Sequence, residues 1–161
     1  MKVAILSDIH DRLDHLDLVL KDIRQRDCER IFFLGDFCAP FSMKALEAGF
    51  EGPIDAVFGN NDGDRYLLVS LAERITFHEP LAALGVDDRR VALHHYPEIA
   101  EHLAASGNFD AVFSGHDHQR YQRSIGNTLW ANPGEIMGRF GTVSYGVWES
   151  QGNQFSCIEL T

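Results

Sequence analysis

Met1-Lys2-Val3-Ala4-Ile5-Leu6-Ser7-Asp8-Ile9-His10-Asp11-Arg12 is the stretch on which the fold turns. An apolar run from Val3 to Leu6 stops at Ser7, and two strong metal-binding side chains, Asp8 and His10, follow at once. A short unbroken apolar run reads as a strand buried on both faces, and open α/β sheets place their ligands beyond the carboxyl ends of such strands. On extended backbone, residues two apart point the same way, so Asp8 and His10 are expected to converge on one point. A carboxylate oxygen beside an imidazole nitrogen suits Mn, Fe, Zn or Ni better than Ca or Mg. Asp-x-His alone is common, and its weight comes from the rest of the chain.

The same unit recurs along the chain. Leu13, Leu16, Leu20 and Ile23 are spaced for the buried stripe of a helix. Ile31–Leu34 is a second buried strand ending in Gly35-Asp36, and Ser42 is the expected N-cap of a helix carrying Met43, Leu46 and Phe50. Ile54–Phe58 is a third strand, running into Gly59-Asn60-Asn61-Asp62. This strand–turn–helix rhythm belongs to a largely parallel sheet. The middle holds short strands at 74–77, 81–84 and 90–93, the last ending in His94-His95, then a short helix opened by Pro97 and closed by Gly107. Ala111–Phe113 leads into Ser114-Gly115-His116-Asp117-His118. Beyond it, strands at 121–125, 129–131, 143–149 and 155–160, with turns at Gly126-Asn127 and Gly152-Asn153, read as antiparallel. The expected fold class is α/β: two packed mixed β-sheets flanked by helices, a four-layer α-β-β-α sandwich, with residues 1–161 as one domain.

The bulk properties narrow the function. At 161 residues, 45% hydrophobic and 24% charged, the chain can bury a sizeable core. A formal charge of −10 argues against stable nucleic-acid binding through a basic face, yet leaves a phosphate substrate open, because bound cations would dominate the local field. Cys28, Cys38 and Cys157 form no CxxC and suggest reduced thiols. With no signal-peptide pattern and no membrane-length apolar run, the expectation is a cytoplasmic protein without a membrane partner.

Asp8, His10, Asp36, Asn60, His94, His116 and His118 thus fall at five separate strand ends. Any one of them has a bland reading, as a turn residue, a helix cap or a surface histidine. Their coincidence at the same end of every apolar strand does not. In this order, Asp8-x-His10, Gly35-Asp36, Gly59-Asn60-x-Asp62, His94 and Gly115-His116-x-His118 resemble the calcineurin-like metallophosphoesterase superfamily. Within it, the chain is similar to the small single-domain phosphodiesterase branch of bacteria and archaea, from residue 1 to about 135, where Asn132-Pro133-Gly134 matches a recurrent turn.

The resemblance implies one divalent cation held by Asp8, His10, Asp36 and His118 and a second held by Asp36, Asn60, His94 and His116, with Asp36 shared. A shared carboxylate suits the roughly 3.5–4 Å spacing of two-metal phosphoryl sites. It also implies a dinuclear phosphoesterase, a phosphodiesterase above all, in which a hydroxide between the cations attacks phosphorus in line. Mn is the favoured metal, with Fe, Ni and Zn also suited to this donor set. Four positions depart from the relatives, among them Ala39, where many carry another acidic residue. Asn61 stands where the nuclease and protein-phosphatase branches carry a proton-donating His. His95 stands where Gly is frequent, and reads equally as a replacement donor or as a residue orienting a ligand. Glu135 follows the Asn-Pro-Gly turn where Ser is frequent. The partner is then a small phosphate ester, with a homodimer or higher oligomer open. A non-catalytic metal-binding scaffold of the same fold is the alternative, disfavoured by the complete ligand set, and a nuclease ranks third.

Overall fold

The computed structural model describes residues 1–160. In chain order its elements are β1 (Lys2–Leu6), α1 (Leu13–Gln25), β2 (Arg30–Phe33), α2 (Pro40–Gly49), β3 (Ile54–Val57), α3 (Arg65–Leu71), β4 (Ile75–His78) and β5 (Ala82–Val86). There follow β6 (Arg89–Leu93), α4 (Pro97–Ala105), β7 (Ala111–Phe113), β8 (Arg120–Ile125), β9 (Thr128–Pro133), β10 (Val143–Glu149) and β11 (Gln154–Leu160). They build a six-stranded sheet, β11-β10-β1-β2-β3-β4, and a five-stranded sheet, β5-β6-β7-β9-β8.

Side-chain alternation explains why these strands carry unbroken apolar runs. In β1, Val3 and Ile5 join the core between the sheets, while Ala4 and Leu6 join the core under α1 and α2. In β2, Phe32 faces the inter-sheet core and Ile31 and Phe33 face the helices. The second sheet repeats the device. Val91, Leu93, Ala111, Phe113, Leu129 and Ala131 point inward, whereas Ala92, Val112 and Trp130 pack beneath Ala100 and Ala104 of α4. Both faces of both sheets are covered, which gives the four expected layers.

Pairing is parallel through β1-β2-β3-β4 and through β6-β7-β9. Hence β1, β2, β3, β6 and β7 all deliver the turns that follow them to one rim. The C-terminal region is less simply antiparallel than expected. The β8-β9 and β10-β11 pairs are antiparallel, but β9 runs parallel to β7, and β10 crosses to the other sheet to pair with β1.

Three local expectations are corrected. α2 begins at Pro40 with Ala39 as N-cap, and Ser42 lies inside it, its hydroxyl donating to Asp11 Oδ1 at 2.6 Å. The buried stripe of α1 is Leu16, Val19, Leu20 and Ile23, with Leu13 41% exposed at the start of the helix. α3 was not anticipated. It is capped by the Asp64 side chain, which accepts from Leu67 N at 3.0 Å.

Candidate metal centre

The five strand-end turns meet at the rim, and in three of them, after β1, β2 and β7, the backbone is not extended. Asp8, His10, Asp36, His116 and His118 have φ of 56°, 44°, 65°, 71° and 60°. Left-handed backbone of this kind is uncommon outside Gly, is tolerated best by Asp, Asn and His, and clusters at functional sites. Asp8 and His10 therefore converge through a tight turn, contrary to the extended geometry expected from their spacing. Gly115 permits the crowding: a Cβ there would collide with the Ser7 hydroxyl and lie 2.9 Å from Asp8 Oδ2. At Gly35 it would lie 2.8 Å from His95 Nδ1.

Asp8 is fully buried at the centre of one half of the cluster. Its Oδ2 accepts the Ser7 hydroxyl and, at 3.1 Å, the backbone N–H of His116. Its Oδ1 stands 3.5 Å from both His10 Nε2 and His118 Nε2. His10 Nε2 is 3.4 Å from Asp36 Oδ2. These separations exceed good hydrogen-bond length. Among the described residues, Asp8 Oδ1 and His10 Nε2 are buried polar atoms with no hydrogen-bond partner. Leaving such atoms unpaired costs about 1–3 kcal/mol each. A divalent cation would satisfy both, and the donor set of carboxylate and imidazole fits one. Burial alone would raise the Asp8 carboxyl. The facing His10 imidazole, the Ser7 hydroxyl and the nearby His95 and His118 outweigh it and hold the group below its usual range.

The other half gathers Asp36, Asn60, His95 and His116. Asp36 is 1% exposed. Its oxygens accept the backbone N–H and the side-chain amide of Asn61 at 2.7 and 2.8 Å. Asn60 Oδ1 lies 3.0 Å from His95 Nε2 and 2.8 Å from His116 Nδ1. His95 Nε2 is also 3.5 Å from Asp36 Oδ2, and His95 Nδ1 is 2.7 Å from Leu34 O, a carbonyl that requires an N–H at Nδ1 and so leaves the Nε2 lone pair facing the cluster.

Of the two adjacent histidines, the structure brings His95, not His94, up to Asp36 and Asn60. His95, buried at 1% exposure, faces Asp36 and Asn60. His94 is half-buried outside the ring, and its Nδ1 accepts the Tyr96 N–H at 3.1 Å. Strand β6 ends at Leu93, and the turn after it brings the second imidazole inward. A sealed His95 is also poorly placed to donate a proton to a leaving group.

Sequence reasoning gave no role to four residues that hold the turns together. Asp62 Oδ2 accepts Gly59 N at 2.7 Å and Asp36 N at 3.0 Å, while Oδ1 accepts Cys38 N at 3.1 Å, tying the β2 and β3 turns together. Asp11 accepts Ala39 N and thereby links the β1 turn to α2. The Asn132 amide donates to Gly115 O and Asp117 Oδ1, both at 2.8 Å, bracing the His116–His118 turn. Buried Glu135 meets His118 Nδ1 at 2.6 Å. Asp62 and Asn132 stand inside recurrent motifs, which was the available signal; Asp11 gave none. Burial and surrounding carboxylates push the Cys38 thiol up to about 12, so it is no thiolate nucleophile. The nearby arginines are largely occupied: Arg12 with Asp14 and Met137 O, Arg65 with Gly59 O and Glu79, Arg120 with Glu159.

Two stacked mixed sheets with a carboxylate–imidazole cluster on one rim define a protein of the metallohydrolase type. A sequence model of the calcineurin-like phosphoesterase superfamily domain matches residues 1–153, and the chain belongs to that superfamily. It is 28% identical to a phosphodiesterase of Methanocaldococcus jannaschii over 166 residues, covering 99% of each. The solved structure of an archaeal phosphodiesterase superimposes with a TM-score of 0.90 at 28% identity, over 99% of this chain and 100% of that one. A phosphoesterase from E. coli shares the fold, with a TM-score of 0.73 at 20% identity over the full length of both.

Proposed function

We propose that this chain is a dinuclear metal-dependent phosphodiesterase. Two buried ligand atoms that have no hydrogen-bond partner among the described residues, Asp8 Oδ1 and His10 Nε2, carry the reading, supported by a phosphodiesterase relative matched over 99% of both chains. Asp8, His10, Asp36 and His118 would hold one cation, and Asp36, Asn60, His95 and His116 the other. Bound there, the pair would supply Lewis acidity to a phosphoryl group and draw the pKa of a water toward neutrality, as zinc does to ~7. The protein's part is to fix the donors. Asp36 is aligned by two hydrogen bonds from Asn61, and Asn60 contributes a neutral oxygen that limits the negative charge of the site.

Asn61 cannot donate a proton as an acid and already spends its amide on Asp36. Esters with acidic leaving groups should therefore react fastest, with a steep dependence of rate on leaving-group pKa. Mn is the favoured metal, the substrate is a small phosphate ester, and a single cytoplasmic domain carries the activity without stable nucleic-acid binding; a homodimer is compatible. Among the described residues, no helix is long and apolar enough to cross a membrane.

The test is reconstitution of chelator-stripped protein with Mn, Fe, Ni or Zn, assayed on paired mono- and diester substrates. Turnover should be metal-dependent and favour diesters, and Asp36→Ala should lose both cations together. Full metal loading with every ester left intact would establish the scaffold alternative instead.

A further inference from the structure

Glu135 is 2% exposed and uses both carboxylate oxygens. Oε1 accepts the backbone N–H groups of Phe140 and Gly141 at 2.6 and 3.1 Å, and Oε2 lies 2.6 Å from His118 Nδ1. The backbone around it is equally fixed. Ile136 N donates to Ser7 O and Met137 N to Asp8 O, while Glu135 O accepts Ser144 N. The carboxylate therefore sits on a segment clamped to the very turn that carries Asp8.

Glu135 Oε1 already accepts two backbone N–H groups, and a carboxylate accepting at Oε2 as well is matched across the 2.6 Å contact by an N–H at His118 Nδ1. That tautomer leaves the lone pair at Nε2, the atom 3.5 Å from Asp8 Oδ1. A carboxylate behind a ligating imidazole also raises its basicity and fixes its ring. Among the described residues, the other half of the site has no such partner. There the outer nitrogen of His95 meets only the neutral carbonyl of Leu34.

We propose that Glu135 is a positioning residue that sets the tautomer and donor strength of His118, and so makes the Asp8–His10–His118 position the tighter of the two cation positions. The proposal rests on the metal-centre reading above. The two positions then fill in order, the His118 position first.

The experiment titrates chelator-stripped protein with Mn²⁺, following binding by calorimetry and bound metal by elemental analysis. Wild type should take two cations in two resolved steps. In Glu135→Gln an amide faces Nδ1 and favours the opposite tautomer. The tighter step should weaken about 10–100-fold, while the other changes by less than about threefold. Glu135→Asp, which restores the charge, should recover part of the loss. Imidazole nitrogen chemical shifts of His118 should report an N–H at Nδ1 in wild type and its loss in Glu135→Gln. Melting of each metal-free protein separates folding from ligation. Unchanged two-step binding in Glu135→Gln would overturn the proposal. So would an equal loss at both positions accompanied by a lower metal-free melting temperature, since that outcome makes Glu135 a purely structural residue. If wild type binds no Mn²⁺ at all, the metal-centre reading fails, and this proposal with it.

Discussion

At the scale of single residues, the decisive pair is His94 and His95. Strand-end counting finds that an imidazole follows β6 but cannot say which one turns inward, because the answer depends on how far the backbone bends after Leu93. The two variants should therefore diverge sharply. His95→Ala removes a side chain that faces both Asp36 and Asn60, and should reduce bound metal from two cations to one and cut kcat by at least about 10²-fold. His94→Ala removes a half-buried ring whose Nδ1 engages only the Tyr96 backbone, and should keep both cations. Elemental analysis of the two proteins decides it, and the reverse pattern would return His94 to the ligand set. The same limit explains why Asp8 and His10 were legible as partners although their geometry was not. Spacing along a chain carries no sign of φ, and the left-handed turn was invisible in it.

At the scale of elements, strands β1, β2, β6 and β7 were readable because burial on both faces demands apolar runs. Strand β3 was readable although its run is broken by Asp55, which is buried against Arg30 and His78. Helix α3 was not, since Leu68 is its one buried residue and Tyr66 and Val69 are 91% and 52% exposed, so no amphipathic stripe marks it. What places α3 and β4 is a side chain from elsewhere. Glu47 of α2, 4% exposed, accepts the backbone N–H groups of Glu73, Arg74 and Ile75 at 2.8, 2.8 and 3.2 Å. Burial tends to raise this carboxyl. The three N–H groups, helped by Lys44, outweigh it and hold the group below its usual 4.5. A carboxyl depressed on folding stabilises the fold above its unfolded value and loses that contribution as pH falls through the folded value. Glu47→Gln, which weakens charge-assisted bonds, should cost about 1–2 kcal/mol near neutral pH. The melting-temperature gap between variant and wild type should be full at about pH 7 and close progressively below pH 4.5. A gap that stays constant into acid would show that the charge of Glu47 contributes nothing.

At the scale of the whole molecule, the two-sheet architecture was legible from strand count and turn chemistry. The crossing of β10 to pair with β1 was not, because that pairing joins segments some 140 residues apart and leaves no local trace. This long closure matters for the site. Turns after β1, β2 and β3 belong to one sheet and those after β6 and β7 to the other, so an ion held by Asp8, His10, Asp36 and His118, like one held by Asp36, Asn60, His95 and His116, would tie the two sheets together at their shared rim. The buried carboxylates of Asp8, Asp36 and Asp62 crowd the same place, and their mutual repulsion falls once cations neutralise them. Metal should then stabilise the fold globally. An ion at about 100 times its Kd contributes about 2.7 kcal/mol, and each kcal/mol moves the midpoint by about 2–4 °C in a protein of this size. Each occupied position should therefore raise the melting temperature by roughly 5–10 °C above the chelator-stripped protein. In Asp36→Ala the metal-dependent gain should vanish. Calorimetric melts of both proteins with and without Mn²⁺ measure this directly. Coincident wild-type melts in the two conditions would mean that the rim turns are held by the protein alone and that the cations do not join the sheets.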